Sequence, residues 1–250
     1  MYHKSTIMSE TIKPYQDSEK GKKEQVAQMF DNISGNYDGL NKIISLGTDA
    51  KWKKKILQMV KPQNPSTILD IATGTGDLAI LFADTSATEI IGLDISQGML
   101  DIGKKKIEAK NLESKIQMVL GDGESIPYPE SYFDVITVAY GVRNFENLEK
   151  GLSEILRVLK PNGSFIILET SVPTKFPFKQ GYYIYTNFIM PTIGKLFSKD
   201  KKAYSYLSNS AQNFPFGEAL NNILRKIGFI DVKDFPQTMG VATIYKASKK

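Results

Sequence analysis

Three short runs of this chain place acids and glycines where a nucleoside could be held. The first is Asp70-Ile71-Ala72-Thr73-Gly74-Thr75-Gly76-Asp77. Its glycines let a backbone approach a ligand closely and aim helix-start N–H groups at it. Taken alone, the run also reads as a tight turn. The second is Asp94, twenty residues beyond Gly74, whose carboxylate can accept hydrogen bonds from both hydroxyls of a ribose. Taken alone, Asp94 or its neighbour Ser96 reads equally well as the cap of a helix beginning at Gln97. The third is Gly121-Asp122-Gly123-Glu124, where a small backbone and an acid could border an adenine.

The ligand implied by these runs carries no phosphates. A dinucleotide wants G-x-G-x-x-G over its pyrophosphate. After Gly74 and Gly76, position 79 is Ala, and Asp77 would crowd the phosphates. S-adenosylmethionine (SAM), a sulfonium with an amino-acid tail, suits an acidic, glycine-rich site. Other chemistries are excluded by composition. The 250 residues include no cysteine, so disulfides, thiolate metal sites and Cys nucleophiles are out, and a cytoplasmic location is the default expectation. The single histidine, His3, lies in a polar lead-in over 1–23 that is expected to be disordered and has no apolar signal-peptide core. No run is long and apolar enough to span a membrane. The net charge is +5, and the segment 172–202, with six Lys and one Asp, carries +5 by itself. That points to one local basic element and away from a nucleic-acid surface.

The elements that must position these residues follow from periodicity. Short apolar runs at 67–71, 89–93, 116–120, 133–139, 164–168, 229–232 and 241–246 alternate with helical stripes such as Leu148/Leu152/Ile155/Leu156. Such alternation predicts an α/β fold with a parallel sheet, helices on both faces and ligands at the carboxyl ends of the strands. Residues 24–62 read as N-terminal helices with a turn-rich break at 34–39. Residues 24–250 read as a single domain. Residues 172–213 exceed any plain connection and read as a lid-like, helical insertion.

The chain resembles the class I SAM methyltransferases. The resemblance rests on the 70–77 run, Asp94-Ile95-Ser96-Gln97-Gly98-Met99-Leu100, Gly121-Asp122-Gly123-Glu124-Ser125-Ile126-Pro127 and Leu159-Lys160-Pro161-Asn162-Gly163. More narrowly, over residues 24–246, it is similar to the menaquinone/ubiquinone biosynthesis C-methyltransferases. That likeness rests on Asn36-Tyr37-Asp38, Lys51-Trp52-Lys53, Gly141-Val142-Arg143-Asn144, Met190-Pro191-Thr192-Ile193-Gly194-Lys195-Leu196 and Tyr204-Ser205-Tyr206-Leu207. The resemblance implies a Rossmann-like, seven-stranded, mostly parallel sheet. It puts SAM contacts on Thr75, Asp94, Asp122 and Gly123, with Gly74 and Gly76 shaping the turn, and implies no metal. Two departures stand out: Ala139 replaces a serine common in the family, and Ala72-Thr73-Gly74 has one glycine where many members have two.

The acceptor implied by the resemblance is a 2-polyprenyl-1,4-naphthohydroquinone methylated on ring carbon. The alternatives are a ubiquinone-precursor benzoquinol or another lipid or small phenol. A phenol titrates near pKa 10, and a guanidinium beside its oxygen favours the phenolate. Arg143 is the candidate for that role; the competing reading is a salt bridge to Asp38 or Glu146. Tyr37 lines the acceptor pocket, closes over SAM, or staples the N-terminal helices to the domain. Tyr140 either stacks on the ring or forms a pocket wall, and Trp52 reads as packing. The insertion interleaves lysines with Phe176, Phe178, Tyr182, Tyr183, Tyr185, Phe188 and Phe197. That mixture suits a lid and a peripheral contact with the inner face of a membrane, or a capping core. A homodimer is one expectation for the assembly.

Overall fold

The structure, a computed structural model, describes residues 12–186 and 201–250. Seven strands form one sheet in the order β3-β2-β1-β4-β5-β7-β6. They are β1 (Thr67–Ile71), β2 (Glu89–Asp94), β3 (Ile116–Leu120), β4 (Phe133–Ala139), β5 (Leu159–Thr170), β6 (Ile230–Gln237) and β7 (Ala242–Ser248). β1 to β5 run parallel, and β7 runs antiparallel between β5 and β6. This is the Rossmann-like class I methyltransferase fold. The order reverses between β1 and β4, so the crevice for a ligand opens beyond the carboxyl ends of β1, β2 and β4.

The central strands are apolar on both faces because both faces are covered. From β1, Leu69 and Ile71 point into one core with Leu152, Ile155, Leu220 and Leu224. These helical residues come from α6 (Leu148–Val158) and from a helix over Glu218–Ile227. Ile68 points the other way, into a core with Trp52, Ile56, Leu78 and Leu100. Those come from α3 (Thr48–Val60), α4 (Asp77–Leu81) and α5 (Gln97–Glu108). A third cluster sits above the carboxyl edge. There α1 (Lys22–Ile33) lays Val26, Met29 and Ile33 on Met99 of α5 and on Ala203 and Tyr206.

Several boundaries differ from the sequence expectations. Residues 12–21, expected to belong to a disordered lead-in, lie against the domain. Ile12 and Tyr15 pack on the third cluster, and the Gln25 side chain accepts from Tyr15 N and donates to Lys20 O. Residues 1–11, with His3, lie outside the described residues. The break expected at 34–39 is present as a 3-10 turn over Ser34–Asn36, after which Tyr37-Asp38-Gly39 open α2 (Tyr37–Ile44), and a second break falls at 45–47, where Gly47 has φ +70°. β6 extends to Gln237; its edge position leaves Asp231, Lys233 and Asp234 in a strand that hydropathy alone cuts short. Within the insertion the described parts form α7 (Phe178–Ile184) and α8 (Lys201–Asn213), after which α9 is the Glu218–Ile227 helix. Phe188, Phe197 and the run from Met190 to Leu196 lie outside the described residues.

Candidate active site

The turn after β1 is held open from below. Ala72, Gly74 and Gly76 all have positive φ, at +52°, +57° and +79°. Asp70, 1% exposed, accepts from Thr73 Oγ1 at 2.7 Å and from Thr137 Oγ1 at 2.6 Å. Burial raises its carboxyl from the usual 3.8 to about 6, despite both threonine hydroxyls. Asp94 ends β2 and bonds the turn to the next helix: Oδ2 accepts from Gly74 N at 2.8 Å and Oδ1 from Ser96 N at 2.9 Å. Ser96, not Asp94, caps α5 by accepting from Met99 N. A carboxylate has about four acceptor sites, so Asp94 keeps capacity for a ligand. Burial raises its pKa, against those N–H donors.

These loops border a cleft beyond the strand ends that is open to solvent. Ala72, Gly74, Asp94, Gly121, Asp122, Gly123 and Glu124 line it at the strand ends, over a floor of Ile71 and Leu93. Its roof comes from α1, through Lys23, Val26 and Phe30. Lys23 Nζ pairs with Asp122 Oδ2 at 2.9 Å. Of the other residues expected here, Ala139 lines the wall. Thr75 lies in an adjoining polar recess with Asp49, Lys53, Asp70 and Asp77. The Thr75 hydroxyl donates to Asp38 Oδ1 at 2.6 Å and accepts from Lys106. Gly76 is not among the residues lining these cavities; a Cβ there would meet Met118 at 3.4 Å, so its place is to set the turn.

A second, larger cavity adjoins the first, and Tyr37 and Tyr140 line both. Tyr37 is braced edge-on by Phe30, with ring centroids 5.9 Å apart. Tyr140 adopts φ +58°, a conformation rare for aromatics and common at functional sites. The following Gly141 permits close approach: a Cβ there would lie 2.5 Å from that of Ala72. Arg143 reaches the same cavity and pairs with Glu169 (Nη1 to Oε1 2.5 Å), the two side chains being 9% and 1% exposed. Burial alone would lower the guanidinium pKa, yet Glu169 and Tyr37 more than reverse this, so Arg143 stays cationic. Its carbon Cζ stands 5.9 Å from the Tyr140 ring centroid. Three buried polar atoms here have no partner among the described residues: Tyr140 Oη, Arg143 Nε and Glu169 Oε2. Native proteins rarely leave such atoms unspent away from a ligand site.

The geometry corrects one expectation. Neither Asp38 nor Glu146 is the partner of Arg143. Asp38 is taken by Thr75 and Lys106, and Glu146 Oε1 accepts from Lys22 N at 2.9 Å.

The model of the ubiE/COQ5 methyltransferase family matches residues 18–249. The chain belongs to that family. A demethylmenaquinone methyltransferase of Bacteroides fragilis is 47% identical over 241 residues, covering 96% of this chain and 98% of the relative. One of Porphyromonas gingivalis is 40% identical over 242 residues, with 96% and 98% covered. A solved SAM-dependent methyltransferase of Thermotoga maritima superimposes with a TM-score of 0.61 at 19% identity, covering 89% of this chain and 99% of that one, and so agrees in fold.

As a member of the ubiE/COQ5 family, the protein is a SAM-dependent methyltransferase. The donor set of the first cleft fits SAM: acids face a cationic ligand, and flat apolar walls suit a purine. Two family motifs far apart in sequence are also bonded to each other, because Tyr206 Oη donates to Asn144 Oδ1 at 3.1 Å. Glu169 was not among the residues singled out from the sequence. Its signal was present as an acid ending the apolar run Phe165-Ile166-Ile167-Leu168. The α1 roof also had no sequence signal, since helical periodicity does not reveal what a helix covers.

Proposed function

We propose that the protein methylates a ring carbon of a 2-polyprenyl-1,4-naphthohydroquinone, converting demethylmenaquinol to menaquinol. The observation that carries this reading is the second cavity, which abuts the cofactor cleft at Tyr37 and Tyr140 and holds the charged Arg143 with unspent buried donors. SAM, when bound, supplies an electrophilic methyl group on a sulfonium. Thr75, Asp94, Asp122, Gly123 and the Gly74–Gly76 turn are the residues assigned to holding it. The protein's own task is then to make the acceptor carbon electron-rich. Arg143 stabilises the adjoining phenolate oxygen as its hydroxyl proton leaves. Lowering a phenol pKa by about two units corresponds to roughly 2.7 kcal/mol. Tyr37 and Tyr140, on the wall shared by the two cavities, hold the ring with its face toward the donor methyl, so that the methyl meets the ring carbon from above its plane, which contributes alignment. In balance, one carbon–carbon bond forms, the methyl–sulfur bond breaks, the ring hydrogen departs as a proton and the phenolate oxygen regains one, so that one proton is released overall. The prenyl tail of such an acceptor lies in a bilayer, and the basic, aromatic segment 172–202 is assigned to peripheral contact with it. Among the described residues no helix is long and apolar enough to cross a membrane.

The test is methyl transfer from labelled SAM to chemically reduced acceptors of both ring types. Labelled menaquinol from wild type, with little from Arg143→Ala, supports the reading. Transfer to a benzoquinol alone, or to neither ring, removes it.

A further inference from the structure

Seven of the ten large apolar side chains left exposed among the described residues lie on three segments whose neighbouring residues line the second cavity. Phe176, Phe178, Tyr183 and Ile184, in and before α7, are 80, 44, 64 and 53% exposed. Ile43 and Leu46, at the end of α2, are 39 and 78% exposed, and Met239, in the turn from β6 to β7, is 65% exposed. These segments are remote in sequence but joined in space. Tyr185 Oη donates to Ile44 O at 2.5 Å, tying α7 to α2. Trp52 Nε1 donates to Thr238 Oγ1 at 3.0 Å, tying α3 to the β6–β7 turn. Ser171 Oγ donates to Gly240 O at 2.8 Å, tying that turn to the start of the insertion. Between them the cavity is lined by Ile44, Trp52, Tyr182 and Val241.

Charge and strain single out this rim. The segments 40–47, 172–186 and 238–241 contain Lys42, Lys175 and Lys179, all exposed, and no Asp or Glu. Leu46 and Met239 have φ +50° and +57°, where glycine or asparagine would sit more easily. The fold on its own gains nothing from putting a strained backbone under an exposed apolar side chain, twice, on segments that flank one cavity.

We propose that this three-segment rim docks the enzyme on an anionic lipid bilayer with the acceptor cavity facing inward. The apolar side chains enter the acyl boundary, while the lysines reach the phosphates with their stems along it. The mouth then opens at the depth of a lipid's polar head, so a prenylated ring can swing in while its tail stays in the membrane. The proposal rests on the prenylated-quinol reading and extends contact to α2 and the β6–β7 turn, outside 172–202.

The experiment compares full-length wild type with Leu46→Asp and Met239→Asp. Aspartate tolerates positive φ better than either native residue, so both variants should fold, and neither site lines the cavity. Each protein is sedimented with vesicles of phosphatidylcholine plus phosphatidylglycerol, and with phosphatidylcholine alone. Methyl transfer is measured on a short-tailed, water-soluble demethylated naphthoquinol and on the long-tailed quinol within the vesicles. Wild type should sediment with the anionic vesicles and less with the neutral ones. Each variant should partition about tenfold more weakly, keep turnover of the soluble acceptor, and lose turnover of the embedded one. Variants that bind anionic vesicles as wild type does, or a wild type that stays in the supernatant at low salt, would overturn the rim. Failure of wild type on the soluble acceptor would instead strike the acceptor reading, with the sedimentation still deciding the rim.

Discussion

At the residue scale, two buried charges govern how the site responds to pH. Arg143 is fixed against Glu169 and stays cationic; on the proposed reading its effect is a standing field at the acceptor oxygen. If it lowers the acceptor pKa by about two units, Arg143→Ala should cut kcat about a hundredfold near neutrality. The deficit should shrink as the assay pH approaches 10, where the phenol ionises unaided; a loss that stays constant across that range would assign Arg143 a purely structural part. Asp70 acts in the opposite sense. Its folded pKa, about 6, exceeds the usual 3.8, so the folded state binds the proton more tightly than the unfolded chain does. Stability therefore falls as pH rises from about 4 to 6, by about 3 kcal/mol in all, and the cost persists above that window. Asp70→Asn should flatten the melting temperature over this range and raise it at neutral pH.

At the scale of elements, the cofactor cleft depends on a helix that contributes little to the sheet. α1 is clamped to the start of α5 by Asp31, whose Oδ1 accepts from Ser96 Oγ at 2.6 Å and from Gly98 N at 2.9 Å. It is clamped to the loop after β4 by Lys22, whose Nζ donates to Arg143 O at 3.2 Å and to Phe145 O at 2.7 Å. Asp31→Ala removes two bonds to a charged acceptor, each worth about 1.5–3 kcal/mol. With the sheet intact, the expected outcome is SAM affinity weakened about tenfold or more by calorimetry, faster proteolysis ahead of Ser34, and a thermal transition close to wild type. A large drop in that transition would mean that α1 belongs to the folding core.

At the scale of the molecule, two cavities meet at a shared wall of Tyr37 and Tyr140, one facing the strand ends and one facing the rim. The chain's single tryptophan, Trp52, lines only the second. A quinone entering there should quench its fluorescence saturably, whereas SAM at the strand ends should leave most of it. Equal quenching by SAM, or none by quinone, would place the acceptor elsewhere.

Strand and helix periods, the glycine turn and the post-strand acids are local patterns. A parallel sheet brings the ends of its strands together whatever the loops do, so the sequence alone was enough to set the fold class and bring Asp94, Asp122 and Gly123 to one edge. Trp52 was likewise readable as a packing residue, being 7% exposed. The partner of Arg143 was not readable. Asp38, Glu146 and Glu169 are all acids within reach in principle, and only the extension of β5 to Thr170 beside β4 brings Glu169 to the guanidinium. The joining of Tyr206 to Asn144, the roof over the cofactor and the apolar rim likewise arise from contacts between distant segments. Which faces end up buried there depends on how helices dock on one another, and that is decided by packing in three dimensions.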